Sequence, residues 1–435
     1  MKRVIFGALI ISLSLLLQAC NTTDPPPPDG EKATLELKLE DVSCIEAWIE
    51  LTTTNLQLPA TITLEQINPA GDTLSHISIL NTQDSLLYID SLLPNQTYKF
   101  HTTIQAFNHT SNELSVTTMD TTSHNFTFET FTFGGTAGSS VLYDVAIINE
   151  NNIWAVGEIY VADTSQNGYT MYNAVHWDGN QWELKRILYD GNIWTIKTIF
   201  AFNQNDIWFS AFVRYDGQKF IELPISPILT GWSINKIWGS SSRNLYVVGN
   251  NGNIVFYNGT SWSRIESGTE LQFTDIYGAS DPKTGEPEIL AVCTRNLPLA
   301  KGIYRIKGNT AVEISSVPIQ WELAGVWFIP NRHYYVVGSG IYEKKSLTDS
   351  LWLNKPLDIT HYVTPKIRGN GLNDVFAVGA FGETLHYNGV SWKSYIEETG
   401  LNSGGYFSVC VKNNTMVAVG FTYQSAVVTI GKRTN

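Results

Sequence analysis

Apolar and polar positions alternate along most of this chain. Thr34-Leu-Glu-Leu-Lys-Leu-Glu40 switches at every residue, the period of a strand with one face covered, and Phe126-Thr-Phe-Glu-Thr-Phe-Thr-Phe133 does so on either side of the polar pair Glu129-Thr130. Shorter strand-like runs follow the first at Ala47 to Leu51, Thr61 to Ile67 and Leu74 to Leu80. Others lie at Leu92 to Phe100, Thr102 to Phe107 and Leu114 to Thr118. About seven short strands bounded by turn residues predict a β-sandwich over residues 31–120. The uncharged run Val4 to Leu17 has neither pattern and is too short to span a bilayer.

Beyond residue 124 the chain repeats itself. Asn152-Ile-Trp-Ala-Val-Gly157 returns as Asp206 to Ala211, Asn244 to Gly249, His333 to Gly338, Asp374 to Gly379 and Thr415 to Gly420, with a degraded copy at Glu288 to Cys293. The average spacing is about 44 residues, the length of a four-stranded propeller blade. A second signature, Trp177-Asp-Gly-Asn-Gln-Trp182, is matched at Tyr215 to Phe220, Tyr257 to Trp262 and Tyr387 to Trp392. Asp-Gly or Asn-Gly between aromatic residues predicts a tight hairpin whose two central residues take positive φ. A further strand precedes the first signature and is marked by Val145, Ile199, Ile237, Ile276, Val326, Ile367 and Val409. Seven units predict seven blades. The last lacks the aromatic hairpin, so the orphan strand Phe126 to Phe133 is expected to supply its outer strand and close the ring, leaving no exposed edge there.

Three resemblances follow from these residues. Leu92-x-Pro94-x-x-Thr97-Tyr98-x-Phe100 resembles the corner of fibronectin type III domains, which implies that Tyr98 bonds back to the corner backbone. Trp48 would then be the buried core aromatic. The repeats resemble bacterial propellers with a Trp-Ala-Val-Gly…Asp-Gly-x-x-Trp consensus, some described as glucosyltransferases. Leu17-Gln-Ala-Cys20, after Lys2-Arg3 and the apolar run, resembles a bacterial lipobox, which implies cleavage before Cys20 and its acylation. Pro25 to Pro28 would form a stiff tether, and Asn21 in place of Asp points to the outer membrane. The whole therefore reads as all-β: signal peptide 1–19, lipidated and Pro-rich tether 20–30, fibronectin type III-like β-sandwich 31–120, and seven-bladed β-propeller 124–435.

Composition narrows the function. The formal charge is −12, which disfavours nucleic acid as a partner, and charged residues are 16% against 12% aromatic, as sheet-rich chains require. Cys44, Cys293 and Cys410 lie in separate units and read as buried free thiols. The sequence holds no HExxH, no zinc spacing, no Gly-x-Ser-x-Gly and no phosphate loop, so no cofactor is expected. His176 and His386 share a repeat position with Phe256 and read as structural.

Two repeated positions remain as candidates. Five residues before the strand marker stand Trp194, Trp232, Leu271, Trp321 and Tyr362. They either wedge between blades or form an exposed face for a protein or glycan partner. Immediately before the marker stand Asp144, Thr198, Lys236, Asp275, Gly325, Lys366 and Ser408. These predict a solvated channel lining of mixed charge, in which Asp144 and Asp275 face across a wide opening. The expected function is a lipid-anchored envelope protein, tethered to the membrane and binding a partner through the propeller face. The alternative is a carbohydrate-active enzyme, hydrolase or glucosyltransferase-like, and a third reading is a purely structural envelope component. Cells fed labelled palmitate should incorporate label into the wild-type chain and none into Cys20→Ala; equal labelling would refute the lipobox.

Overall fold

A computed structural model describes residues 33–104, 109–210, 212–296, 298–355 and 359–434. Cys20, the apolar run and the proline tether lie outside them. Two sheets form the first unit. One orders Thr34–Val42, Ala47–Thr54 and Asp84–Ile89; the other orders Thr73–Leu80, Ala60–Ile67, Thr97–Ile104 and His109–Thr110, with Leu114–Thr117 also on Thr97–Ile104. Their inward residues, among them Leu37, Ile49, Ile62, Leu64 and Phe100, make one core. The Leu93 N–H donates to the Tyr98 hydroxyl at 2.9 Å, which pins the corner. Trp48 is not in this core. Alternation points Ala47, Ile49 and Leu51 inward, so Trp48 faces outward beside Tyr88 and is buried beneath the Arg332 guanidinium, 4.9 Å from its ring.

Residues 141–433, with the strand Phe126–Phe133, form seven four-stranded antiparallel sheets among the described residues. The first strands are Val141–Asn149, Ile199–Asn203, Ile234–Ser241, Gln272–Ser280, Leu323–Ile329, Lys366–Gly371 and Gly405–Lys412. Each contacts the next, and the seventh contacts the first. Seven apolar clusters fill the seven spaces between neighbouring sheets, one per space. No sheet can bury both faces alone, so the clusters stabilise the ring as a whole. Phe126–Phe133 pairs antiparallel with Ser425–Arg433 as the outer strand of the seventh sheet, and its Phe131 and Phe133 pack toward Trp182 of the first.

The aromatic hairpins differ from expectation in their turns. Trp177 pairs with Trp182, leaving four connecting residues, and of the Asp-Gly pair Gly179 alone has positive φ. The Asp178 carboxylate accepts the Asn180 and Gln181 N–H groups, and the matching Asp216, Asn258 and Asn388 side chains do the same. The acid or amide therefore acts as a side-chain cap rather than as a left-handed turn residue. The three cysteines are free thiols, Cys44 and Cys293 buried and Cys410 half-buried.

The sandwich sits on the ring through charge. Arg332, 1% exposed, donates to Glu40 and Asp41; Lys283 reaches Glu40 and Glu50, and Lys345 reaches Glu46. The Asn373 amide and the Asn388 carbonyl bond to the linker at Asp120 and Thr122. All these propeller residues follow the far ends of sheet strands or connect them, at the end of sheets four to six where the first strand finishes.

Where the linker enters the ring, His124 and His386 bring their Nδ1 atoms to 2.9 Å. The His386 Nε2 lies 3.0 Å from Asp374, which also pairs with Arg433, so the His386 ring donates there and its Nδ1 accepts from His124. Burial first, then His386, Lys393 and Arg433, hold His124 down at about 4 against an ordinary 6.5. The folded chain thus keeps a neutral ring that the unfolded chain protonates. Its contribution is complete above pH 6.5 and is lost as pH falls toward 4. Urea titrations across that window should show a shallower acid loss in His124→Asn than in the wild type; parallel curves would contradict this.

Candidate functional site

The repeat glycine shapes the site at the axis. A Cβ at Gly157, Gly249, Gly338 or Gly420 would collide with the carbonyl oxygen of Val141, Ser233, Glu322 or Gly405, each four residues before a strand marker. Glycine there admits the first strand against the second at close range. Beside it the first strand bulges, between Leu142 and Asp144, Ile234 and Lys236, Phe273 and Asp275, Leu323 and Gly325, and Tyr406 and Ser408. A bulge turns the residue that follows it, so in these five sheets the position before the marker is re-aimed.

Asp144, Lys236, Asp275 and Lys366 stand at that position, but not as a solvated lining. They are 2%, 8%, 0% and 6% exposed. Asp144 of the first sheet accepts the Ile199 N–H and the Thr198 hydroxyl of the second, each at 3.0 Å. It also takes the Lys236 ammonium of the third at 2.5 and 2.7 Å and the Ser408 hydroxyl of the seventh at 2.8 Å. Asp275 of the fourth accepts the Val326 N–H of the fifth at 3.1 Å. From the sixth it takes both Arg368 Nη atoms at 2.8 and 2.9 Å and Lys366 at 3.0 Å. Two carboxylates therefore reach all seven sheets. Thr198 continues the scheme, accepting the Ile237 N–H at 3.2 Å.

Burial alone would raise Asp144, but Lys236 and Lys366, with the bonds from Lys236 and Ile199, hold it below its ordinary value. Arg368 and Lys366 overcome the same penalty at Asp275 and hold it far lower. Three cations share these two carboxylates, and burial pushes Lys366 down to about 8. Each acid also feels the lysine paired with the other. Arg368 was not among the sequence candidates. It stands one residue after the marker, where the other units carry Ala146, Phe200, Trp238, Tyr277, Trp327 and Cys410, and that lone charge was its signal.

The aromatic position divides. Trp194 is 63% exposed, Trp321 57% and Tyr362 38%, whereas Trp232 and Leu271 are half-buried against the clusters of their own sheets. Trp194 and Trp232 line one cleft of about 590 Å³ with Tyr189, Phe212 and Leu229. Trp321 and Tyr362 line another of about 650 Å³ with Ile341, Tyr342 and His361. Turn and bulge residues add Phe381, 5.2 Å from the Tyr362 ring, and the stacked pair Tyr143 and Phe407. All lie at the end of the sheets where the first strand begins, opposite the sandwich. Among the described residues no cluster of His, Cys, Asp or Glu could hold a metal ion.

No family model matches the chain, and no curated protein does. Among solved structures it is similar to YCF48 bound to D1 peptide, at 15% identity and a TM-score of 0.52, over 71% of this chain and 97% of that one. It is also similar to YCF48 from Cyanidioschyzon merolae, at 12% identity and a TM-score of 0.48, over 69% and 98%. The first likeness shows a β-propeller fold.

Removing either axial charge strands its partners in the interior, which costs about 3–5 kcal/mol for a buried pair. Asp144→Asn and Asp275→Asn should each shift urea unfolding by that order, whereas exposed Asp178→Asn should shift it far less. A loss at either axial site no larger than at Asp178 would show that the ties carry no stability.

Proposed function

We propose that this chain is a lipid-anchored scaffold of the bacterial envelope, probing its surroundings with a seven-bladed propeller carried on a fibronectin type III-like sandwich. Its function is to bind a partner protein through the aromatic end of the propeller. One observation carries the reading: the exposed aromatics Trp194, Trp321, Tyr362 and Phe381 all lie at the end of the ring opposite the sandwich, in or beside two clefts. Since the sandwich follows the tether in sequence and docks on the other end, this face points away from the anchor. The strand order of the first unit and the Tyr98 corner bond support the fibronectin-like assignment. Seven inter-sheet clusters and the pairing of Phe126–Phe133 support seven blades in a closed ring.

A protein is favoured over a glycan on chemistry. A sugar needs several free polar partners around its ring, whereas the buried side chains of the Trp194 cleft include the apolar Ile187, Ile196, Phe209, Val213 and Leu229. Its buried Asn173 amide already serves the Ile187 and Trp194 backbone, and Asp190, Asn192 and Lys197 line it as exposed residues. Large aromatic side chains beside an apolar floor are the usual anchors of protein partners. The structure of YCF48 bound to D1 peptide is a propeller with a peptide partner, which is compatible with this use of the fold. The enzymatic alternative has no support at the axis, because Asp144 and Asp275 are enclosed carboxylates already committed to Lys236, Lys366 and Arg368.

Envelope extract passed over the immobilised protein should yield a partner that Trp194→Ala/Trp321→Ala, with wild-type near-UV circular dichroism, recovers at least ~10-fold less well, as loss of two anchors implies. Protease treatment of the extract should abolish recovery. Survival after protease would indicate a glycan, and equal recovery by a folded double variant would sink the aromatic-face reading.

A further inference from the structure

The sandwich leaves one long edge open. Thr73–Leu80 is the terminal strand of its sheet, paired along its whole length with Ala60–Ile67 and free of bulges. On its other side it has no strand partner among the described residues. Such an edge presents a row of N–H and C=O groups, and proteins usually blunt it with charge, proline or a bulge. Thr-Leu-Ser-His-Ile-Ser-Ile-Leu has no Asp, Glu, Lys, Arg or Pro. Two other long terminal strands away from the axis carry charges: Glu36, Lys38, Glu40 and Asp41 in Thr34–Val42, and Glu129 in Phe126–Phe133. On the outer face of the open strand Ile77 is 74% exposed and Ile79 67%. Beside it, a groove of about 670 Å³ runs to the edge strand Asp84–Ile89 of the other sheet.

We propose that this edge pairs antiparallel with the same edge of a second copy of the chain. The free backbone groups call for an extended strand, and the segment is complementary to itself. A twofold axis at Ser78 sets Ile77 opposite Ile79 of the second copy, and Ile79 opposite Ile77 of the second copy. The four side chains then form one apolar patch on the shared sheet, with no like charges facing across it. The strand pair extends the five-stranded sheet to a ten-stranded one through the dyad. The edge belongs to the sandwich, so the dimer leaves the aromatic end of each propeller free and presents two binding faces from one assembly. This inference stands independently of what that face binds.

Sedimentation velocity of the purified protein should give twice the monomer mass at micromolar concentration. Ile77→Lys/Ile79→Lys should give the monomer mass with unchanged near-UV circular dichroism, since both side chains lie outside the core. Ser78→Cys should form a covalent dimer under mild oxidation, which reads the axis without adding charge. A wild-type monomer throughout, a dimer that survives in the folded lysine variant, or a Ser78→Cys chain that stays uncoupled would each overturn the proposal. Full partner recovery by the monomeric lysine variant would leave the aromatic-face reading intact, so the two fail separately.

Discussion

Two buried carboxylates hold the ring at its axis. In a ring of radiating sheets, the innermost strand of each has one edge with no strand beside it, and the N–H groups on that edge need acceptors. Asp144 and Asp275 answer this for Ile199 and Val326, and the Thr198 hydroxyl answers it for Ile237. The acids then become buried charges that require cations. Lys236, Lys366 and Arg368 supply them from other sheets, so a local backbone need is converted into a tie across the ring. The apolar clusters between sheets give most of the burial. The axial charges add direction, because a shifted sheet would leave a charge unpaired.

The same small residue that admits the axial strand also shapes the end opposite the sandwich. Glycine in the second strand lets the first strand approach and bulge, which aims one side chain at the axis; beside the bulges of the first and seventh sheets Tyr143 and Phe407 stack at the rim. Connections entering the first strands of the second, fifth and sixth sheets carry Trp194, Trp321 and Tyr362 to that rim. At the opposite end, the acidic strand ends of the sandwich meet Lys283, Arg332 and Lys345. Arg332 is buried between two carboxylates and stacked on Trp48, so the first unit is bolted to the ring rather than hung beside it. One end of the propeller is thereby occupied and the other offered.

Much of this was legible in order along the chain. Strand periodicity, the seven copies, the orphan strand at Phe126 and the Tyr98 corner are local patterns, set by the fixed periods of extended backbone and by turn chemistry a few residues long. The aromatic position was legible as a position, but its exposure was not. Trp194 and Trp232 occupy the same place in neighbouring units, and the packing of the second and third sheets half-buries one while the other stays open. Trp48 shows the same limit, since its period placed it on a strand and only the docked ring determined what covers it.

By itself, then, the sequence determined most of the strands, how often the propeller unit repeats and which residues recur at each place in it; it missed Asp84–Ile89, and it divided Thr97–Ile104 between two runs. The tertiary structure alone decided which of those residues meet. Asp144 binds partners 54, 92 and 264 residues away, and Asp275 binds Arg368 93 residues away. No local period encodes such separations. They follow from closing the ring, which brings every first strand to one axis, strips water from the charges there and leaves each with a partner that linear distance concealed.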